Sequence, residues 1–260
     1  MLLTIDVANS NIHFGLHTGS DWCCTWRART VPLKMSDEYA VLLRNFFRES
    51  NIEFSDVTGV VMASVVPDLT GTMIQMSERY LKQTPVNVGP GVKTGIRVLI
   101  DNPREVGADR VVNAAAVKAL YGGPAIVLDF STATSWDVIN ADGDYLGGAI
   151  APGIGVAHDA LVSRTSRLLK VDLKAPPAAI GKNTIHAMQS GLFFGTVGMI
   201  EGMVARLKSE MLAQGIDGKG IKVIATGNLA ELFAEYTDAI DTIAPNLTLE
   251  GLRIIWELNQ

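Results

Sequence analysis

One layout occurs twice in the chain and constrains its fold more than any other feature. Leu2-Leu3-Thr4-Ile5 is an apolar run that ends at Asp6, passes through a polar turn and continues with alternating apolar positions at Ile12, Phe14 and Leu16. Asp129 lies 123 residues after Asp6, and Ala125-Ile126-Val127-Leu128, a turn of small and hydroxyl residues, and an alternating run through Trp136 and Val138 surround it in the same order. Each copy predicts a β-hairpin with an acid at the end of its first strand. A third strand is expected around Tyr145 to Ile150. A second echo follows the first: Val60 to Pro67 and Val223 to Leu229 each read as a buried strand entering a loop and helix. The repeat predicts an α/β chain of two related lobes, residues 1–115 and 116–260.

Helices fill the intervals. Ser36 is placed to cap a helix over residues 37–50, and further helices are expected from Asp109 to Tyr121 and from Asn183 to Gln214. The last contains Gly191, Gly195, Gly198 and Gly202 on one side. Glycine costs roughly 1 kcal/mol inside a helix, so this row predicts close approach of another helix or of a ligand.

Composition narrows the function. Of the 260 residues 48% are apolar and 19% charged, the mix of a chain with a sizeable core, and 22 basic against 27 acidic side chains leave a net charge of −5. Nucleic-acid binding is not expected of such a chain, and no apolar run is long enough to span a membrane. The two cysteines are neighbours, which argues against a disulfide framework and for the cytoplasm. The four histidines lack zinc-site spacing.

A strand-end aspartate followed by a turn rich in N–H and O–H donors can hold phosphate oxygens while its carboxylate orients a cation. Each turn alone is also an ordinary polar hairpin tip; two together suggest a nucleotide cleft. No Walker-type loop, Rossmann glycine fingerprint or serine-hydrolase elbow is present. Asp101 to Arg110 is the densest polar segment, with Pro103 and Gly107 constraining a loop before a helix. There Asp109 either accepts a proton from a hydroxyl while Arg110 binds an anion, or caps the helix beside a surface arginine.

These motifs, in this order, resemble the type III pantothenate kinases of the actin-like ATPase and sugar-kinase superfamily, whose lobes have a ribonuclease H-like fold. The resemblance runs through Asp6 to Asn11, Ser64-Val65-Val66-Pro67, Asp101 to Arg110, Asp129 to Ser135, Gly147 to Gly153, Gly181 to Thr184 and Ala225 to Ala230. It implies ATP-dependent phosphorylation of the primary hydroxyl of pantothenate, the first step of coenzyme A biosynthesis. By the same resemblance Asp109 is the catalytic base, and Gly107, Ala108, Asp109, Arg110 and Thr184 bind the substrate. Asp6, Val7, Ala8, Asn9, Ser10, Asn11, Ile12, His13 and Thr132 would contact ATP. Asp6 would also serve magnesium, and Asp129 a potassium or ammonium ion. The resemblance further implies a homodimer, with the glycine-rich helix as a plausible contact.

The chain departs from the family pattern at five positions. Ala8 and Ser131 replace glycines, Ser10 and Ser135 replace threonines, and Asn228 replaces the second glycine of a Thr-Gly-Gly run. The serines keep their hydroxyls. A Cβ at Ala8 or Ser131 falls where glycine would permit positive φ and close approach of a phosphate, which raises an alternative: a weakened paralogue that binds pantothenate or a related acid in a regulatory role.

Overall fold

The computed structural model describes residues 1–260, apart from the side chain of Lys219. It divides into two compact units, Met1–Tyr121 with Asn246–Gln260, and Gly122–Pro245.

In the first unit, β1 (Leu2–Val7) turns into β2 (Asn11–His17), followed by β3 (Trp22–Arg29), α1 (Ser36–Glu49), β4 (Gly59–Ser64), α2 (Pro67–Met76), β5 (Val86–Asn87) and α3 (Ala108–Leu120). The sheet order is β3-β2-β1-β4-β5, with β1, β2 and β3 antiparallel and β1, β4 and β5 parallel. Leu3, Ile5, Val7, Ile12, Phe14 and Leu16, the alternating positions of the hairpin, enter one core with Tyr39, Leu43 and Phe47 of α1.

The second unit contains β6 (Ala125–Phe130), β7 (Ala133–Ile139), β8 (Tyr145–Pro152), α4 (Ile154–Ser163), α5 (Thr184–Ala213), β9 (Lys222–Gly227), α6 (Ala230–Ala234) and β10 (Thr242–Ile243). Its order, β10-β9-β6-β7-β8, is that of the first sheet read from the other edge, and β6 runs parallel to β9 as β1 does to β4. The repeat seen in the hairpins therefore extends over both whole sheets. Phe193 of α5, Phe233 of α6 and Phe130 of β6 stack in its core.

The final helix α7 (Leu247–Leu258) packs on the first unit, although the sequence division assigned it to the second lobe. Close backbone approach explains this. A Cβ on Gly251 would fall on the carbonyl oxygen of Val112 in α3, and one on Gly59 would fall on the ring of Trp256. Thr248 Oγ1 also donates to Asn113 Oδ1 at 2.8 Å. The expected boundary after residue 115 lies inside α3.

Two local expectations also shift. Ser36 is the first residue of α1 rather than its cap; its hydroxyl donates to Gln75 Oε1 at 3.0 Å, and the Glu38 carboxylate accepts from the Met35 N–H. The glycine row of α5 does not meet another helix of its own chain: a Cβ at Gly191, Gly195 or Gly198 would have no atom within 4 Å. Among the described residues no helix is long and apolar enough to cross a membrane.

Candidate active site

In the first unit the end of β1 sets Asp6 in register with His13 of β2 and Ala63 of β4. His13 in turn pairs with Arg27 of β3. Burial, and then the Arg27 charge, lower the His13 pKa to about 4, so its imidazole is neutral at pH 7. Val7 and Ile12 are fully buried and their side chains belong to the core. The turn between them is tied down by the residue that follows β3: Thr30 Oγ1 donates to Ala8 O at 2.6 Å and Thr30 N to Ser10 O at 3.0 Å. Asn9 and Ser10 are exposed at its tip. Thr30 and Arg27 were missed from sequence; the signal was the alternation of Trp26 and Ala28 with Arg27 and Arg29 along an unrecognised third strand.

The loop after β4 joins this turn to the polar segment. Val65 N donates to Val7 O at 3.0 Å, and Ser64 Oγ accepts from Thr70 Oγ1 at 2.9 Å. The Val65 side chain borders Gly107, which precedes α3. Pro103–Glu105 forms a short helical turn, with Asn102 Nδ2 donating to Glu105 Oε1 at 2.7 Å. Gly107, at φ −60° and ψ 141°, starts α3 by accepting from the N–H groups of Arg110 and Val111. Asp109 sits in the first helical turn, its Oδ1 accepting from Arg110 N at 2.9 Å. A Cβ on Gly107 would occupy the place of that same oxygen. Burial pushes the Asp109 carboxyl above the ordinary carboxylate range, against the opposing pull of the Arg110 N–H and guanidinium. The result is a stronger proton acceptor than a solvated aspartate, held where only a glycine neighbour leaves room.

The second unit repeats the strand-end acid. Asp129 is in register with Ser135 of β7 and Thr226 of β9. The turn Ser131–Thr132 is closed by Ser131 N donating to Ala133 O at 2.9 Å. Gly153, at the start of α4, donates its N–H to Thr132 O at 3.1 Å, and a Cβ there would lie 2.6 Å from that oxygen. Gly227 ends β9 at φ +88°, and a Cβ on it would fall on Phe130 O and lie 2.8 Å from Asp129 Oδ1. Thr184 is exposed at the start of α5, behind an Asn183 cap that accepts from His186 N at 2.9 Å. Thus Gly107 to Arg110 belong to the first unit and Thr184 to the second.

The departures in the turns look different in this light. Asn51 and Lys82 are the non-glycine residues at positive φ among those described, so Ala8, Ser131 and Asn228 all keep conformations open to any side chain. The left-handed position of the Thr226-Gly227-Asn228 run is Gly227, which is retained. Among the described residues no three His, Cys, Asp or Glu side chains are grouped to hold a metal. That donor set suits magnesium held by one carboxylate together with phosphate oxygens and water, not an all-protein cage.

A family model of type III pantothenate kinase matches residues 2–206. Relatives named type III pantothenate kinase include those of Moorella thermoacetica, 49% identical over 100% of both chains, and Roseiflexus sp., 47% identical over 100% of both. That of Dehalococcoides mccartyi is 42% identical over 100% of this chain and 96% of its own. Among solved structures, a protein of Campylobacter jejuni described as a Baf family transcriptional activator aligns with a TM-score of 0.59 at 20% identity, covering 99% of this chain and 98% of its own. A protein of Sinorhizobium meliloti described as a 2-dehydro-3-deoxygalactonokinase aligns with a TM-score of 0.54 at 10% identity, covering 99% and 95%. At such identities the structural likeness shows the fold alone, an α/β fold of the sugar-kinase and actin-like type.

Proposed function

Since the chain belongs to the type III pantothenate kinases, we propose that its own residues divide between them the transfer of a phosphoryl group from ATP to pantothenate. The activity is that of an ATP-dependent kinase of coenzyme A biosynthesis. The observation that supports the residue roles best is the half-buried, upward-shifted carboxyl of Asp109 beside Gly107.

In this reading the primary hydroxyl of pantothenate points at Asp109, and Arg110 pairs with the pantothenate carboxylate. The hydroxyl oxygen attacks the γ-phosphorus, the bond from that phosphorus to the bridging oxygen of ADP breaks, and the hydroxyl proton passes to the Asp109 carboxylate. Such transfers depend mainly on positioning and charge stabilisation, with the proton accepted by an aspartate. Gly107 and Ala108 shape the start of α3 around the substrate, and Thr184 adds a polar contact. The N–H and O–H groups of Asp6 to His13, together with Thr132, cradle the phosphates, and neutral His13 adds no charge to that end of the hairpin.

Asp6 would hold magnesium, which when bound neutralises phosphate charge. Asp129 would hold potassium or ammonium; its half-buried carboxylate, beside a phosphate and without a cation, would be strongly unfavourable. A homodimer joined along α5 would give the open glycine row of that helix its partner. The cytoplasm, where ATP is made and used, is the proposed location. The weakened-paralogue alternative loses its conformational ground, because Ala8 and Ser131 do not occupy glycine-only conformations; crowding of the phosphates by their side chains is left to the reversion test.

The test is pantothenate phosphorylation by the purified chain with ATP and magnesium, in potassium against sodium. Turnover in potassium that collapses in sodium supports the Asp129 assignment. Equal rates in both would remove it.

A further inference from the structure

Cys23 and Cys24 take no part in the kinase site. They stand in β3, the edge strand of the first sheet. Opposite them the ladder slips, with Leu16 paired to Cys24 and His17 to Trp22, so Cys23 is the extra residue of a β-bulge. Successive side chains of a regular strand point to opposite faces, and a bulge breaks that alternation locally. The two sulfurs accordingly lie 3.2 Å apart, with Cys23 exposed and Cys24 partly buried against the apolar core. The start of the strand is anchored: the Trp22 indole N–H donates to Glu250 Oε1 at 2.5 Å, and the Trp22 ring meets His17 edge-on.

Two common fates of paired thiols do not suit this geometry. Disulfides ordinarily join Cα atoms about 4.4–6.8 Å apart, whereas neighbours across a trans peptide are separated by about 3.8 Å. Structural zinc takes four ligands, and among the described residues no three suitable side chains converge. The bite angle points the same way. With metal–sulfur bonds of roughly 2.3 Å, sulfurs 3.2 Å apart subtend roughly 90°, while a tetrahedral centre would need them roughly 3.8 Å apart. What fits is a soft, pyramidal centre that binds two thiolates near a right angle and brings its remaining ligand with it.

We propose that Cys23 and Cys24 form a chelating dithiol site for trivalent arsenic compounds. With an organic arsenic oxide, two S–H bonds break, two As–S bonds form, and both protons leave with the oxygen as water. Arsenic stays trivalent, so no oxidant or reductant takes part. Once the first As–S bond has formed, the second sulfur reacts within the same molecule, which favours closure over capture by a free thiol.

Phenylarsine oxide is the probe, read by intact mass and thiol titration of the native protein. One equivalent should add one phenylarsenic group with loss of water and consume both thiols. The adduct should withstand at least about a hundredfold more 2-mercaptoethanol than the adducts of Cys23→Ser or Cys24→Ser, yet be stripped by 2,3-dimercaptopropanol. The exposed Cys23→Ser variant keeps the test valid should Cys24→Ser fold poorly. No adduct, two groups per chain, or an equally resistant adduct on Cys23→Ser would overturn the proposal.

Discussion

A Cβ on Gly107 would fall on the Oδ1 oxygen of Asp109, the carboxylate that begins α3. At φ −60° Gly107 has no need of glycine's left-handed freedom, so the requirement for glycine is one of space. Gly107→Ala should therefore displace the carboxylate without distorting the backbone. A displacement of about 1 Å in a reacting group costs about a hundredfold in rate, and that loss should appear in kcat while the KM for ATP is unchanged. Steady-state kinetics of the alanine variant check this; wild-type turnover would mean that Asp109 has slack.

Partial burial of Asp109 also links activity to stability. Its folded pKa lies above its unfolded value, so in the interval between them the folded state binds more protons than the unfolded state. The stability this contributes is complete below the unfolded value and is lost as pH rises through the folded one. Above the unfolded pKa the partly buried carboxyl is therefore a burden on the fold. Asp109→Asn should melt at a higher temperature than the wild type at pH 7, and the difference should vanish under acid conditions below the unfolded pKa. A wild type that melts higher at pH 7 would contradict the shift. Activity should follow the same group in the other sense, falling as pH drops through its raised pKa.

The repeat of strand, acid and polar turn was legible because it is local: alternation in a hairpin and a polar tip need no distant partner. So were α3 and α5, which depart from expectation by one residue at each end. The placement of α7 was not legible, because it rests on Gly59 against Trp256 and Gly251 against Val112, contacts between residues far apart in sequence. Strand β3 was hidden for another reason. Beyond its bulge the outward positions carry Thr25, Arg27 and Arg29, and only Trp26 and Ala28 face the core. In the candidate site, the glycine that matters at the end of β9 is Gly227, not the position of Asn228, and only the backbone angle tells the two apart.

That distinction separates two substitutions. Gly227→Ala would force a side chain to φ +88° against Phe130 O and Asp129 Oδ1. It should cost about 1–3 kcal/mol in urea unfolding and raise the KM for ATP, whereas Asn228→Gly should leave that KM unchanged. The double reversion Ala8→Gly with Ser131→Gly should not improve ATP use, and should loosen the two turns at about 0.4–1 kcal/mol each. A tenfold fall in the KM for ATP would show instead that the two side chains crowd the phosphates.

The glycine row of α5 tests the proposed dimer. Gly195 has open space beside it within its own chain, so Gly195→Leu should leave the fold of one chain intact, with its melting temperature maintained at low concentration. If α5 joins two copies, light scattering should find a monomer in place of the wild-type dimer. A variant that remains dimeric would move the interface elsewhere.

The central claim is that this chain phosphorylates pantothenate with Asp109 as the base, and one comparison tests it most directly. Steady-state formation of phosphopantothenate from ATP should be measured for the wild type and Asp109→Asn, with pantothenate binding followed separately by calorimetry. Removal of a general base predicts a loss in kcat of about 10²–10⁴, with pantothenate still bound. Asparagine at 109 turning over at the wild-type rate would contradict the account.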